Sequence, residues 1–120
     1  MPKLAIQEDM LPGRTVHERL SNAKHLNLSG IEFWADDVTE RVPEIADALE
    51  QNGISACGIN LGRLDGYLSP DLQTRESAIG AMRQAMADAV DLDAEYLSFV
   101  PLYGAPLMPD LTPYRSPIDL

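Results

Sequence analysis

Residues 30–60 read GIEFWADDVTERVPEIADALEQNGISACGIN, an apolar strand, a helical pattern and a second apolar strand. The two end segments, GIEFW and ISACGIN, are nearly continuous apolar runs, which is typical of strands buried on both faces. Between them an apolar residue recurs every three or four positions over 42–49, and Gly53 follows as a helix stop. This order predicts a parallel β-α-β unit.

The same alternation extends to both sides of this unit. Four strands are predicted, at residues 3–7, 30–34, 54–60 and 95–101. A capping box of Thr15 and Glu18 opens the first helix, Thr39 is the candidate cap of the second, and Ser69 with Pro70 begins the third and longest. The sequence therefore predicts an α/β domain with a parallel sheet of four strands and three helices.

The composition changes after the fourth strand. Residues 102–120 contain Pro106, Pro109, Pro113 and Pro117 and show no helical period, so 101–120 is predicted to be a proline-rich loop. Its last five residues resemble the start of another helix, which the chain end cuts off. The 120 residues form one predicted domain, 1–120, about half the ~250 residues of a (β/α)8 barrel.

Charge and composition exclude several classes of partner. Nine Lys and Arg face 19 Asp and Glu, a net charge of −10, which repels nucleic acid and anionic membranes. No apolar run reaches the ~20 residues of a membrane span, and the N-terminus lacks a signal-peptide core. Cys57 is the single cysteine and lies in an apolar strand, so the acidic protein is predicted to be cytoplasmic, with Cys57 a small buried residue.

The segments LAIQ, GIEFW, ISACGIN and YLSFVPLYG resemble the N-terminal half of the xylose-isomerase-like TIM-barrel superfamily. Within it, the sequence is most similar to the sugar phosphate isomerase/epimerase group. The most specific match is the pattern G-(I/V)-E-(F/L), here Gly30, Ile31, Glu32 and Phe33. The resemblance implies parallel β/α units that form half of a (β/α)8 TIM barrel, over residues 1–120.

This resemblance also implies a chemistry for the complete family member. Such enzymes isomerise or epimerise a sugar or sugar phosphate by proton transfer through an enediolate. A divalent metal (Mn, Mg, Co or Zn) is held by carboxylates and a histidine from the C-terminal half of the barrel. Because that half has no counterpart in these 120 residues, no catalytic residue, bound metal or turnover is expected from this chain alone.

Candidate binding residues lie at the carboxyl ends of the strands, where barrel sites form. They are Gln7, Glu32, Trp34, Asn60 and Tyr103. Each also has a structural interpretation: a paired buried carboxylate for Glu32, a packed aromatic for Trp34 and Tyr103, a turn residue for Asn60 and a solvated loop for Gln7.

Two alternatives remain open from the sequence. The first is a noncatalytic half-barrel that closes its sheet edges by forming a homodimer or by pairing with a separate C-terminal half. The second is a flavodoxin-like binding module, although no G-x-G-x-x-G or phosphate-loop motif is present. A flavodoxin-like sheet reverses its strand order, whereas consecutive barrel strands keep it.

Overall fold

The computed structural model describes residues 2–101, apart from the side chain of Asp65. The strands are β1 (Ala5–Gln7), β2 (Gly30–Trp34), β3 (Ser55–Arg63) and β4 (Tyr96–Val100). The helices are α1 (Val16–His25), α2 (Val38–Asn52) and α3 (Leu72–Asp91), and a short 3-10 turn follows each of the first three strands. The loop and helix start predicted beyond residue 101, and Tyr103 with them, lie outside the described residues.

The four strands form one parallel sheet in the order β1-β2-β3-β4. Each strand therefore pairs with the strand that follows it in sequence, and one helix connects the two strands of each pair. The described sheet has no reversal of strand order, so it is not the sheet of a flavodoxin-like module. Consecutive parallel β/α units with one sense of progression are the repeating element of a TIM barrel, as the sequence predicted.

All three helices pack on one face of the sheet, called here the helix face. Phe33, Ile31 and Ile59 are fully buried there. They share one core with apolar residues from every helix, Leu20 of α1 and Ile45 of α2 among them. Because one continuous core joins every helix to the sheet, this face supplies most of the folding free energy through apolar burial.

The opposite face, called here the open face, carries polar side chains from the same strands. Glu32 alternates with Ile31 and Phe33 along β2, as the period of two in a strand requires. In β3 a bulge interrupts this period: Ile31 pairs with Ala56 and Glu32 with Gly58, which leaves Cys57 as the extra residue. Cys57 is consequently half-buried beside β4 and not part of the apolar core.

Side-chain hydrogen bonds cap the first turns of α1 and α3, and the starts of α2 and α3 differ from the predictions. Thr15 caps α1 as predicted, since its side chain accepts the N–H of Glu18. In α2, however, Asp37 is the N-cap residue, and the hydroxyl of Thr39 instead donates to Asp88. Asp71 caps α3 by accepting the N–H of Thr74, which moves the start past Pro70 to Leu72.

Two buried carboxylates tie the helices together. Glu8, directly after β1, accepts from Arg19 of α1 at 3.1 Å and from Arg41 of α2. Asp88 of α3 accepts from Thr39 of α2 at 2.7 Å. A buried carboxylate is costly unless it is paired or hydrogen-bonded, and both of these are satisfied. They therefore fix the spacing of the helices behind the sheet.

The edges of the described sheet are β1 and β4, each paired on one side within residues 2–101. Unpaired parallel edges offer hydrogen bonds to a further strand. A homodimer or a separate second half, as one alternative requires, stays a prediction. Among the described helices, none is both long enough and apolar enough to cross a membrane.

Candidate functional site

Glu32 lies at the centre of a hydrogen-bonded group on the open face. Gln7 of β1 donates its Nε2 to Glu32 Oε1 at 2.8 Å, and Asn60 of β3 donates its Nδ2 to the same oxygen at 3.4 Å. Tyr96 of β4 donates its hydroxyl to Glu32 Oε2 at 2.7 Å. Each of the other three strands thus contributes one donor to a single carboxylate, and these four residues are called here the Glu32 cluster.

The positions of these donors follow from strand register. Gln7 pairs directly with Glu32 across β1 and β2, and Gly58 pairs with Glu32 across β2 and β3. Tyr96 in turn pairs with Gly58, so it lies two strands away from the carboxylate that it reaches. A long side chain is needed to cross that gap, and the phenol of Tyr96 provides it.

Gly58 permits this crossing because it has no Cβ. A Cβ built at this position would lie 2.2 Å from Cε2 of Tyr96 and 2.4 Å from Cζ. No side chain fits at such distances, so any residue other than glycine displaces the ring. The Tyr96 ring therefore lies directly across the backbone of β3 on its way to Glu32.

The hydrogen bonds also set the charge state of the cluster. Burial alone would raise the pKa of Glu32, but hydrogen bonds from Gln7, Tyr96 and Asn60 outweigh it and lower the pKa below the ordinary 4.5. The hydrogen bond to Glu32, followed by burial, raises the pKa of Tyr96. The cluster consequently holds an ionised carboxylate and a protonated phenol at neutral pH.

Asn60 has two roles at once. Its side-chain oxygen accepts the N–H of Gly62 at 2.7 Å, a bond within β3, while its Nδ2 donates to Glu32. Gly62 has a φ of +65°, the left-handed region that glycine tolerates. The bond to nearby backbone that the sequence predicted for Asn60 is therefore present, but Asn60 lies within β3 and not in a turn, and this bond also positions the amide for the cluster.

Trp34 lies two residues after Glu32, at the carboxyl end of β2, and pairs with Asn60 of β3. Its indole Nε1 donates to Asp9 at 3.1 Å, so its single donor is already used. Trp34 and Asp9 line an open cleft of about 410 Å³ that continues towards Arg19 and Arg41. The indole therefore lines this cleft with its single N–H donor already bonded to Asp9.

The structure brings together Gln7, Glu32 and Asn60 of the predicted binding residues, with Trp34 beside them. Tyr103 lies outside the described residues. Tyr96 is not among the predicted residues, because it begins its strand, whereas barrel sites form at the carboxyl ends of strands. The signal available in the sequence was a large polar aromatic opening one strand and a glycine inside the neighbouring one.

Within residues 2–101, no group of three or more His, Cys, Asp or Glu side chains converges closely enough to hold a metal ion. Glu32 has amide and phenol neighbours, which do not form a metal ligand set with it. The divalent metal implied by the family resemblance thus does not fit the described residues, and no chemical step here is assigned to it.

Solved structures share this fold. The 3-keto-D-glucoside 4-epimerase from E. coli, in its apo form, matches with a TM-score of 0.69 and 11% identity, over 81% of this chain and 37% of that one. A D-psicose 3-epimerase, solved in the presence of D-fructose, matches with a TM-score of 0.67 and 17% identity, over 82% of this chain and 37% of that one.

Both neighbours are xylose-isomerase-like TIM-barrel enzymes. At these identities the likeness shows the fold alone, which confirms the prediction of consecutive TIM-barrel β/α units. This chain spans 37% of the length of each neighbour. No family model matches the sequence, and no curated protein matches it.

Proposed function

We propose that the open face binds a neutral sugar and that the chain belongs to a sugar isomerase or epimerase of the xylose-isomerase-like superfamily. The observation that carries the proposal is the convergence of Gln7, Asn60 and Tyr96 on the carboxylate of Glu32. Polyol recognition needs this kind of array, because each hydroxyl both donates and accepts a hydrogen bond. The sugar epimerases that share the fold support the same class of ligand.

Glu32 serves in this proposal as an acceptor for sugar hydroxyl groups. A carboxylate offers roughly four acceptor positions, and three donors occupy Glu32. Its lowered pKa makes it a weak base, whereas an efficient general base has a pKa near the working pH. Glu32 therefore binds and orients the ligand, and proton abstraction is not assigned to it.

The charge of the cluster favours an unphosphorylated sugar. The three donors to Glu32 are all neutral, and the carboxylate itself is ionised. A phosphate group close to this carboxylate is repelled and meets no cation within the cluster. We therefore expect D-fructose to bind more tightly than its 6-phosphate.

In the complete reaction, a base removes the proton from the carbon next to a carbonyl, and the resulting enediolate is reprotonated to give the epimer or isomer. The described residues contribute binding and orientation to this scheme. For the complete enzyme we also propose a divalent metal, which would supply positive charge to balance the developing enediolate. Its ligands are not assigned to any described residue.

An NMR titration of the ¹⁵N-labelled chain with D-fructose tests the proposal. We expect saturable shifts of the Gln7, Glu32 and Asn60 amides, and Glu32→Gln should weaken binding about tenfold, as loss of a charged hydrogen bond does. Glu44→Gln, an equivalent change on the exposed side of α2, is the matched control and should bind normally. Shifts confined to the helix face, or none at all, would contradict the proposal.

A further inference from the structure

The ring of Tyr96 is held at two points and remains accessible between them. Its hydroxyl donates to Glu32, and its ring carbons lie across Gly58, where a Cβ would come within 2.2 Å. The residue is nevertheless 43% exposed. Because Gly58 covers one side of the ring, the exposed surface includes the side that faces away from β3.

This arrangement fixes an aromatic surface beside a carboxylate. The hydroxyl of Tyr96 donates to Glu32 Oε2, so the carboxylate lies next to the hydroxyl end of the flat ring. Tyrosine loses little rotational freedom when it is anchored in this way, and its ring provides a broad apolar contact. Contact with Gly58 and the hydrogen bond to Glu32 together hold the Tyr96 ring in one orientation, called here the platform.

A closed sugar ring matches this geometry better than an open chain does. A pyranose has an apolar face of C–H bonds and hydroxyl groups around its edge. Its C–H face can stack on Tyr96 while an edge hydroxyl donates to the remaining acceptor position of Glu32. An acyclic polyol has the hydroxyl groups but no flat C–H face.

We propose that Tyr96 is a ligand-stacking residue and that the open face selects a sugar in its closed pyranose form; the carbonyl that the proposed proton transfer requires is then a ketone on the ring or forms when the bound ring opens. This inference rests on the proposed sugar-binding function and names the form of sugar that the site takes. Tyr96 acts on the ligand through its ring and on Glu32 through its hydroxyl, which holds the carboxylate in position.

Two probes separate ring stacking from general polyol binding. Methyl β-D-glucopyranoside cannot open its ring, and D-sorbitol has no ring. We expect the glucoside to bind the full chain about 3- to 10-fold more tightly in NMR titrations, the range of one aromatic contact. In saturation-transfer experiments, irradiation of the tyrosine ring protons should reach the C–H protons on one face of the glucoside.

Variants assign the effect to Tyr96. Tyr96→Phe keeps the platform and should retain the saturation transfer, whereas Tyr96→Leu should lose it together with the preference for the glucoside. Tyr67→Leu is the matched control, because Tyr67 packs edge-on against Phe99 away from the cluster. The ¹H–¹⁵N spectrum of each variant establishes that it is folded, and saturation transfer in the unaltered chain needs no variant at all.

The outcomes distinguish this inference from the function on which it rests. Equal affinity for the glucoside and sorbitol, with normal dependence on Glu32, would overturn the stacking inference and leave sugar binding intact. The same holds if saturation reaches both probes equally, or if it survives in folded Tyr96→Leu. Absence of binding by the glucoside, sorbitol and D-fructose would overturn both proposals.

Discussion

The helix face and the open face use residues from the same strands, often adjacent in sequence, for different purposes. Phe33 is fully buried among aliphatic side chains of the helices, whereas Glu32 beside it collects donors from three strands. Apolar packing is tolerant of which atoms touch, but a hydrogen-bonded cluster depends on the placement of each atom. The fold is therefore expected to depend on the helix face and ligand binding on the open face.

The largest effect is expected from Phe33→Ala on the helix face. Phe33 has no exposed surface, so truncation leaves a cavity at the centre of the core. We expect the free energy of unfolding to fall by about 3–5 kcal/mol, measured by urea denaturation. A loss below about 1 kcal/mol would show that this face does not hold the fold.

Gly58→Ala should have the next largest effect, and it is the sharpest test of the open face. The added Cβ overlaps the Tyr96 ring, which must swing away from Glu32. We expect a loss of about 1–3 kcal/mol in stability, together with a fall in the pKa of Tyr96 followed by NMR of its ring carbon. Gly80→Ala, at a position with open space around it, is the control.

Tyr96→Phe removes one hydrogen bond and keeps the ring in place. Because Tyr96 is partly exposed, we expect a loss of only about 1 kcal/mol in unfolding free energy. Glu32 should then titrate at a higher pKa, since one of the three bonds that lower it is gone. An unchanged Glu32 pKa would contradict the geometry of the cluster.

The smallest effect is a dependence of stability on acid. The pKa of Glu32 is lower in the folded chain than its ordinary 4.5, so the stability it contributes is present above that pH and is lost as pH falls through the lowered pKa. The difference in unfolding free energy between the unaltered chain and Glu32→Gln should therefore shrink in acid. A difference that grows on acidification would contradict the lowered pKa of Glu32.

The sequence predicted the elements of the helix face more completely than the residues of the open face. Strand and helix order followed from apolar periodicity, and the strand at 30–34 has the predicted bounds. The apolar spacing of α3 predicts that Leu72 and Met86 face the core, but both are more than half exposed. Alanines at 78, 85 and 89 make that contact instead, because small side chains let α3 approach closely.

The members of the Glu32 cluster were predictable where they end a predicted strand or stand out within one. Gln7 and Asn60 end predicted strands, although β3 runs on to Arg63 in the structure, and Glu32 is conspicuous as an acid within an apolar strand. Tyr96 reaches Glu32 across 64 residues of sequence, and only the pairing of the strands reveals it. Glu8 follows Gln7 in a segment whose sequence fits a solvated loop, but its arginine partners on two helices hold it in the interior.

The bulge at Cys57 decides which residues of β3 face the helices and which lie on the open face. If the same residues alternated regularly through Cys57, with no bulge, Ile59 would lie among the polar groups of the open face and Asn60 in the core. The single added position inverts that assignment for the carboxyl-terminal half of β3. An alignment of this chain with TIM-barrel structures is therefore sensitive to a one-residue gap: an alignment that omits the gap pairs positions of the helix face with positions of the open face, however well the flanking strands agree.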